Sequence, residues 1–235
     1  MQRSGDDGLG RLLHTVHAAD RGNLPAVALW HITVAPLTGV QMDEAVRRGW
    51  LTRSERLVAE RRSSDMLRGA FGSRRVLRRL AASVVLRCAP EVVEIASWCP
   101  RCGIADHGRP WITNTAGRRL SMSTSSSGDT VVIAIGARSI GIDIESEHRV
   151  ADPALVAAAR RLDGWDEVAL ACPSDSTPLM EWTAFEAIAK TTGHGLTAGQ
   201  WRIAEALAQH RLEWFTDRHG WVTCVAAAAP AAPIL

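Results

Sequence analysis

Ile140-Gly141-Ile142-Asp143-Ile144-Glu145 alternates strictly between branched apolar residues and small or acidic ones. Successive side chains of a strand point to opposite faces. Ile140, Ile142 and Ile144 therefore share one face, suited to a core. Gly141, Asp143 and Glu145 share the other. Two carboxylates at i and i+2 stand about 7 Å apart at their Cα atoms. Their repulsion is unfavourable unless they converge on one hard cation, and Gly141 leaves room beside them for something bulky. An edge strand with a solvated acidic face has the same pattern, but the hexapeptide favours a metal site.

The next informative stretch follows after 36 intervening residues: Trp182-Thr183-Ala184-Phe185-Glu186-Ala187-Ile188-Ala189-Lys190. In a helix, Trp182, Phe185 and Ala189 form an inward stripe, and Glu186 and Lys190 are i, i+4 neighbours. They could be an ordinary exposed ion pair. They could also supply a third carboxylate for the cation and an ammonium for a phosphate. Lys190 is the single lysine of the chain. Asp143, Glu145 and Glu186 are hard oxygen donors of the kind Mg²⁺ takes while keeping positions for water and phosphate oxygens. Ligand type does not separate Mg²⁺ from Mn²⁺.

Working outward, Leu29–Val34 reads as a strand ended by Pro36 and Gly39, and residues 41–49 and 52–63 read as helices. A longer helix is predicted from Asp65 to Cys88, with Leu77, Leu80 and Val84 on one face and Pro90 beyond it. Val92–Ile95 reads as a strand and residues 99–118 as loop. Leu120–Ser123 reads as a strand running into a hydroxyl-rich loop, Ser123 to Gly128, whose side chains and N–H groups can line a phosphate. Val131–Ile135 and Ile140–Glu145 are strands. Helices are predicted at about 152–162 and 176–192, and strands at Trp201–Ile203, Arg211–Phe215 and Trp221–Val225. The order implies an α+β fold of two similar halves, 1–138 and 139–235, with 1–23 a loose lead-in.

The 235 residues carry 46% apolar and 22% charged side chains, which fits a globular chain and argues against global disorder. No apolar run is long enough to span a bilayer. The polar N-terminus does not read as a secretory signal, so a cytoplasmic protein is expected. Net charge is +2, yet Arg47 to Arg79 holds eleven arginines against Glu55, Glu60 and Asp65. Such a field attracts anions, although a solvated helix face accounts for it equally well. Cys99-x2-Cys102 followed by His107 looks like half a zinc site. A structural zinc wants four ligands and no second pair follows, so a turn with incidental thiols is the better reading. There is no Walker A loop, GxGxxG, HExxH or GxSxG.

Gly141-Ile142-Asp143-Ile144-Glu145 together with Trp182-x3-Glu186-Ala187-x2-Lys190 resembles the paired signature of 4′-phosphopantetheinyl transferases. His107-Gly108-Arg109-Pro110, Leu120 to Ser125, the arginine-rich segment from Arg74 to Leu80 and Gly193-His194-Gly195-Leu196 resemble further motifs of the larger, monomeric Sfp-type branch. The resemblance covers about residues 50–225. It implies an intramolecular pseudo-dimer with coenzyme A between the halves. It implies Mg²⁺-dependent transfer of the 4′-phosphopantetheine arm to a serine hydroxyl of an acyl, peptidyl or aryl carrier protein, releasing adenosine 3′,5′-bisphosphate. The carrier would belong to a fatty acid, polyketide or nonribosomal peptide synthase, the last two serving secondary metabolism, with neither nucleic acid nor membrane as partner.

By the same resemblance, Asp143, Glu145 and Glu186 match the metal-binding carboxylates. Glu186 also matches the general base, and Lys190 a lysine near the phosphates. Arg109, Ser123, Thr124 and either Arg68 or Arg74 would contact coenzyme A. Two positions depart from the pattern. Thr124 stands where the family has a phosphate-contacting histidine, and a neutral hydroxyl bond is weaker than a charged one. Phe185 stands where a lysine is common. A catalytically silent relative that binds coenzyme A or a carrier protein is the alternative these departures leave open.

Overall fold

Thr130–Gly136 is buried along its whole length, and the fold is assembled on its two faces. The computed structural model describes residues 9, 11–12, 27–104, 108–114, 116–147, 157–158, 160–216 and 220–228. We label the strands β1 (Val27–Thr33), β2 (Ile95–Trp98), β3 (Arg109–Thr113), β4 (Arg119–Ser127), β5 (Thr130–Gly136), β6 (Ile140–Ser146), β7 (His210–Thr216) and β8 (Trp221–Ala228). The helices are α1 (Gly39–Arg47), α2 (Arg53–Glu60), α3 (Asp65–Leu86), α4 (Trp165–Ala171), α5 (Pro178–Thr192) and α6 (Gln200–Gln209). Two antiparallel sheets result, a five-stranded one in the order β1-β5-β4-β3-β2 and a three-stranded one in the order β6-β8-β7.

Val131, Ile133 and Ile135 of β5 point to one side, where they pack with Trp30, Ile32 and Met122 against Val76, Leu77 and Leu80 of α3. Ser64 caps the start of α3 by accepting from the Leu67 N–H, and the helix ends at Arg87 in a left-handed conformation, φ 53°. Val132 and Ala134 point the other way and pack with Ile140, Ile142, Ile144 of β6 and Val225. This seam joins the two sheets. The outer face of the second sheet carries Cys224 and Ala226 against Phe185 and Ile188 of α5, with Trp165 and Ile203 behind them. Each sheet thus has one long helix on the face turned away from the seam. No described helix is long and apolar enough to cross a membrane.

The alternation of β6 holds as read: Ile142 is 1% exposed and sits in the seam. Four other expectations are corrected. Residues 109–113 form β3 rather than loop. The hydroxyl-rich run Ser123–Ser127 is not a loop but the second half of β4, paired to β5 from Ser121↔Gly136 to Ser127↔Thr130. Val92 belongs to a single 3₁₀ turn, and β2 begins only at Ile95. Trp201–Ile203 lies in α6, where Ile203 is buried and Trp201 is 61% exposed. The lead-in 1–23 and the helix predicted over 152–162 fall mostly outside the described residues.

Replacing Ile142 with Asp should cost more than about 4 kcal/mol, because a carboxylate would enter a dry seam without a partner. Chemical denaturation of a soluble Ile142→Asp protein with near-native stability would show the strand facing to be inverted.

Candidate functional site

Helix α5 lies against β6 because Gly141 has no side chain. A Cβ there would stand 1.9 Å from the Ala187 carbonyl oxygen. The room read into Gly141 is therefore taken by helix backbone. Thr177 starts α5 by accepting from the Met180 N–H, with Pro178 at the first turn, and Gly193 ends it at φ 76°. Between these caps the helix presents Glu186 and Lys190, one turn apart, to β6.

The Lys190 Nζ stands 2.6 Å from Asp143 Oδ1, 3.1 Å from the Ile142 carbonyl oxygen, 3.1 Å from Ser125 Oγ and 3.3 Å from Glu186 Oε2. Ser125 Oγ donates to the same Asp143 oxygen at 2.6 Å. One register step along β4, Ser127 Oγ donates to Glu145 Oε2 at 2.8 Å. Asp143 is 2% exposed, and its other oxygen, Oδ2, is buried without a hydrogen-bond partner. Burial pushes the Asp143 carboxyl up to about 6, Lys190 pulls it down, and Glu186 adds to the push. A buried acid beside a second acid, with one oxygen unsatisfied, gains from a further positive charge.

A cleft of about 580 Å³ adjoins Lys190. Arg78, Arg101, Arg109, Thr124 and His194 also line it. Arg78 Nε donates to Thr124 Oγ1 at 2.9 Å, and no carboxylate among the described residues pairs with this guanidinium. Burial pushes Arg78 down to about 9, and Arg75 and Arg74 push the same way against Glu55. It still carries its charge at neutral pH. An incoming anion would relieve both the burial and the crowding. Arg109 is anchored by neutral acceptors, the Thr191 carbonyl at 2.8 Å and Ser139 Oγ at 3.1 Å. Ser123 lines the cleft and its Oγ accepts from the Ile142 N–H at 3.1 Å.

Of the expected site residues, Asp143, Glu186 and Lys190 converge directly, and Glu145 follows Asp143 on the same face of β6. Arg109, Ser123, Thr124 and Lys190 share the cleft. Arg74 spends its hydrogen bond on Ser126 at 2.9 Å. Arg68 stands apart: it pairs with Asp65 at 2.5 Å and lines a different hollow beside Leu37 and Met42. Arg78, Ser125 and Ser127 were missed. Arg78 is one turn beyond Arg74, and Ser125 and Ser127 alternate on β4 as Asp143 and Glu145 do on β6. That parallel alternation was the available signal.

Among the described residues no three His, Cys, Asp or Glu side chains stand close enough together to hold a metal. Lys190 occupies the space between Asp143 and Glu186. The donor chemistry nevertheless suits a hard divalent ion, since the unsatisfied Asp143 Oδ2 is an oxygen that such an ion would take. Cys99 and Cys102 are both free thiols, one buried and one exposed. His107 lies outside the described residues.

Neither a protein-family model nor a curated protein matches this chain. Removing the ammonium with Lys190→Met should destabilise the fold by about 3 kcal/mol, the low end for leaving a buried charge unpaired, because Lys190 retains 26% side-chain exposure. The double variant Asp143→Asn, Lys190→Met should recover most of that loss. Additive losses in urea denaturation would mean that the two groups do not interact.

Proposed function

We propose that the chain is a 4′-phosphopantetheinyl transferase, moving the phosphopantetheine arm of coenzyme A onto a serine hydroxyl of a carrier protein. The observation that carries this reading is the meeting of Asp143 and Glu186 at Lys190 beside a cleft lined by Arg78, Arg101 and Arg109. A diphosphate with a further phosphate suits that cationic cleft, and the acids beside it suit the ion that accompanies a diphosphate. The pairing of one long helix with each sheet supports the further reading of the two halves as an intramolecular pseudo-dimer.

Asp143 and Glu186, with Glu145 next along β6, would hold Mg²⁺ or Mn²⁺ if the ion took the place of the Lys190 ammonium between them. Bound there, the ion would supply positive charge to the pyrophosphate. Lys190 and Arg78 bind phosphate oxygens, and Arg109 orients the nucleotide end from the mouth of the cleft. Glu186 takes the proton of the incoming serine hydroxyl, directly or through a water. The serine oxygen then bonds to the phosphorus that carries pantetheine. The bond from that phosphorus to the bridging oxygen breaks, and adenosine 3′,5′-bisphosphate leaves. Arg78 supplies the positive charge that Thr124 lacks, from the far side of their shared hydrogen bond.

The ammonium between Asp143 and Glu186 favours a second reading, a protein that binds coenzyme A but does not turn it over. Mass spectrometry of apo carrier proteins incubated with coenzyme A and Mg²⁺ separates the two. A gain equal to the phosphopantetheine arm is expected, with Asp143→Ala reducing the rate by at least about 100-fold when assayed well below the melting temperature, which loss of the Lys190 partner lowers. Binding of coenzyme A without transfer to several carriers would establish the silent reading. Near-normal turnover by Asp143→Ala would overturn the metal assignment.

A further inference from the structure

Cys99-Pro100-Arg101-Cys102 forms the turn after β2, and Cys99, Arg101 and Cys102 line the wall of the cleft. The Gly103 N–H donates to the Cys99 carbonyl at 2.9 Å, so the two cysteines stand three apart in one closed helical turn. Side chains at that spacing share a face, about 5–6 Å apart at their Cβ atoms. That is within about 2 Å of the separation in a disulfide. Neither sulfur is in one. The two ends of the turn differ. The Cys99 end is clamped: a Cβ on Gly108 would stand 2.7 Å from Cys99 Cα, and one on Gly193 would stand 3.2 Å from Pro100 Cγ. The Cys102 end has room to move, since a Cβ on Gly103 would meet nothing within 4 Å. Cys99 is buried and Cys102 is exposed.

The five thiols of the chain are not equivalent. The Cys102 N–H holds the Cys99 thiol below the ordinary cysteine range; burial opposes this, and the Arg101 N–H, the Cys102 thiol and the Arg101 charge add to it. Burial pushes Cys88 up, Cys172 up to about 11 and Cys224 well up. Thiol–disulfide exchange runs through the thiolate, so the pair at the cleft is favoured over the other three. Among the described residues no third His, Cys, Asp or Glu joins the pair, whereas a structural zinc takes four ligands. The wall around the turn carries Arg78, Arg101 and Arg109 and no Asp or Glu. Its field draws an anionic partner.

We propose that Cys99 and Cys102 form a reversible exchange site for an anionic small-molecule disulfide. The exposed Cys102 sulfur loses its proton and attacks one sulfur of the incoming disulfide. A bond forms to Cys102 Sγ, the disulfide's own S–S bond breaks, and one small thiol leaves with the proton. The Cys99 sulfur then attacks Cys102 Sγ. The Cys99–Cys102 bond forms, the mixed disulfide breaks, and the second small thiol leaves with the Cys99 proton. Two cysteine thiols are oxidised, and one small disulfide is reduced to two thiols. The inference requires neither a bound metal nor transfer to a carrier, so it does not depend on the transferase reading.

Incubation of the reduced full chain with oxidised glutathione at neutral pH, followed by alkylation and peptide mass mapping, tests this. The peptide holding Cys99 and Cys102 should lose two hydrogens while Cys88, Cys172 and Cys224 remain open to alkylation after unfolding. Dithiothreitol should reverse the change. Cys99→Ser should accumulate a glutathione on Cys102, and Cys102→Ser should react about tenfold or more slowly, with melting curves confirming that both fold. Added salt should slow the native reaction, because it screens the attraction of the arginines for the anion. The proposal is overturned if the pair stays reduced while another cysteine reacts, if Cys99→Ser holds no mixed disulfide, or if Cys102→Ser reacts at the native rate. A rate that salt leaves unchanged or raises would overturn the anionic class, and one zinc per chain bound by the pair would overturn the exchange itself.

Discussion

The ammonium of Lys190 on the buried carboxylate of Asp143 is the contact that ties the two halves of the candidate site together. It spans three elements, since Ser125 of β4 bonds to both partners. It exists only because α5 can lie directly on β6, which the missing side chain of Gly141 permits. Move the helix outward by the width of a methyl group and the ammonium no longer reaches the acid. The same contact decides what the site can do. It partly neutralises Asp143 and Glu186 and leaves one buried oxygen of Asp143 without a hydrogen-bond partner.

The cationic side of the molecule follows a complementary logic. Many arginines of the basic segment are paired on the surface, as Arg47 and Arg48 are with Glu44, Arg56 with Asp43 and Arg68 with Asp65. Exposed pairs of this kind contribute little to stability. Arg79 is structural: it reaches the Trp50 and Val93 carbonyls and Glu55 from a buried position. Arg74 and Arg78 each give a hydrogen bond to a neutral hydroxyl, of Ser126 and Thr124, and of the two Arg78 lines the cleft. The segment's charge therefore includes a paired surface, a buried strut and two guanidiniums with neutral partners, one of them facing the cleft.

Legibility in the sequence tracked the length scale of each feature. The facing of β6 depends only on a period of two, and Ile142 and Asp143 lie as that period requires. The i, i+4 relation of Glu186 and Lys190 is equally local. What sequence alone did not show was tertiary. Serine is a poor strand former, so Ser123–Ser127 resembled a loop until β5 supplied its ladder. The short run Trp201–Ile203 is ambiguous between helix and strand, and packing of Ile203 under Trp165 selects helix. The arginine count identified a basic field but not the residue facing the cleft. Arg68 and Arg78 sit on the same helix, and only the position of β4 separates a surface pair from a cleft residue.

The central claim is that Asp143, Glu145 and Glu186 jointly hold one divalent ion beside Lys190. Titration of Mn²⁺ into the protein with coenzyme A present, followed by electron paramagnetic resonance, tests it directly. The account requires one bound ion per chain, with affinity falling by about tenfold or more in both Asp143→Ala and Glu186→Ala. Absence of a bound ion, or unchanged affinity in either variant, would contradict it.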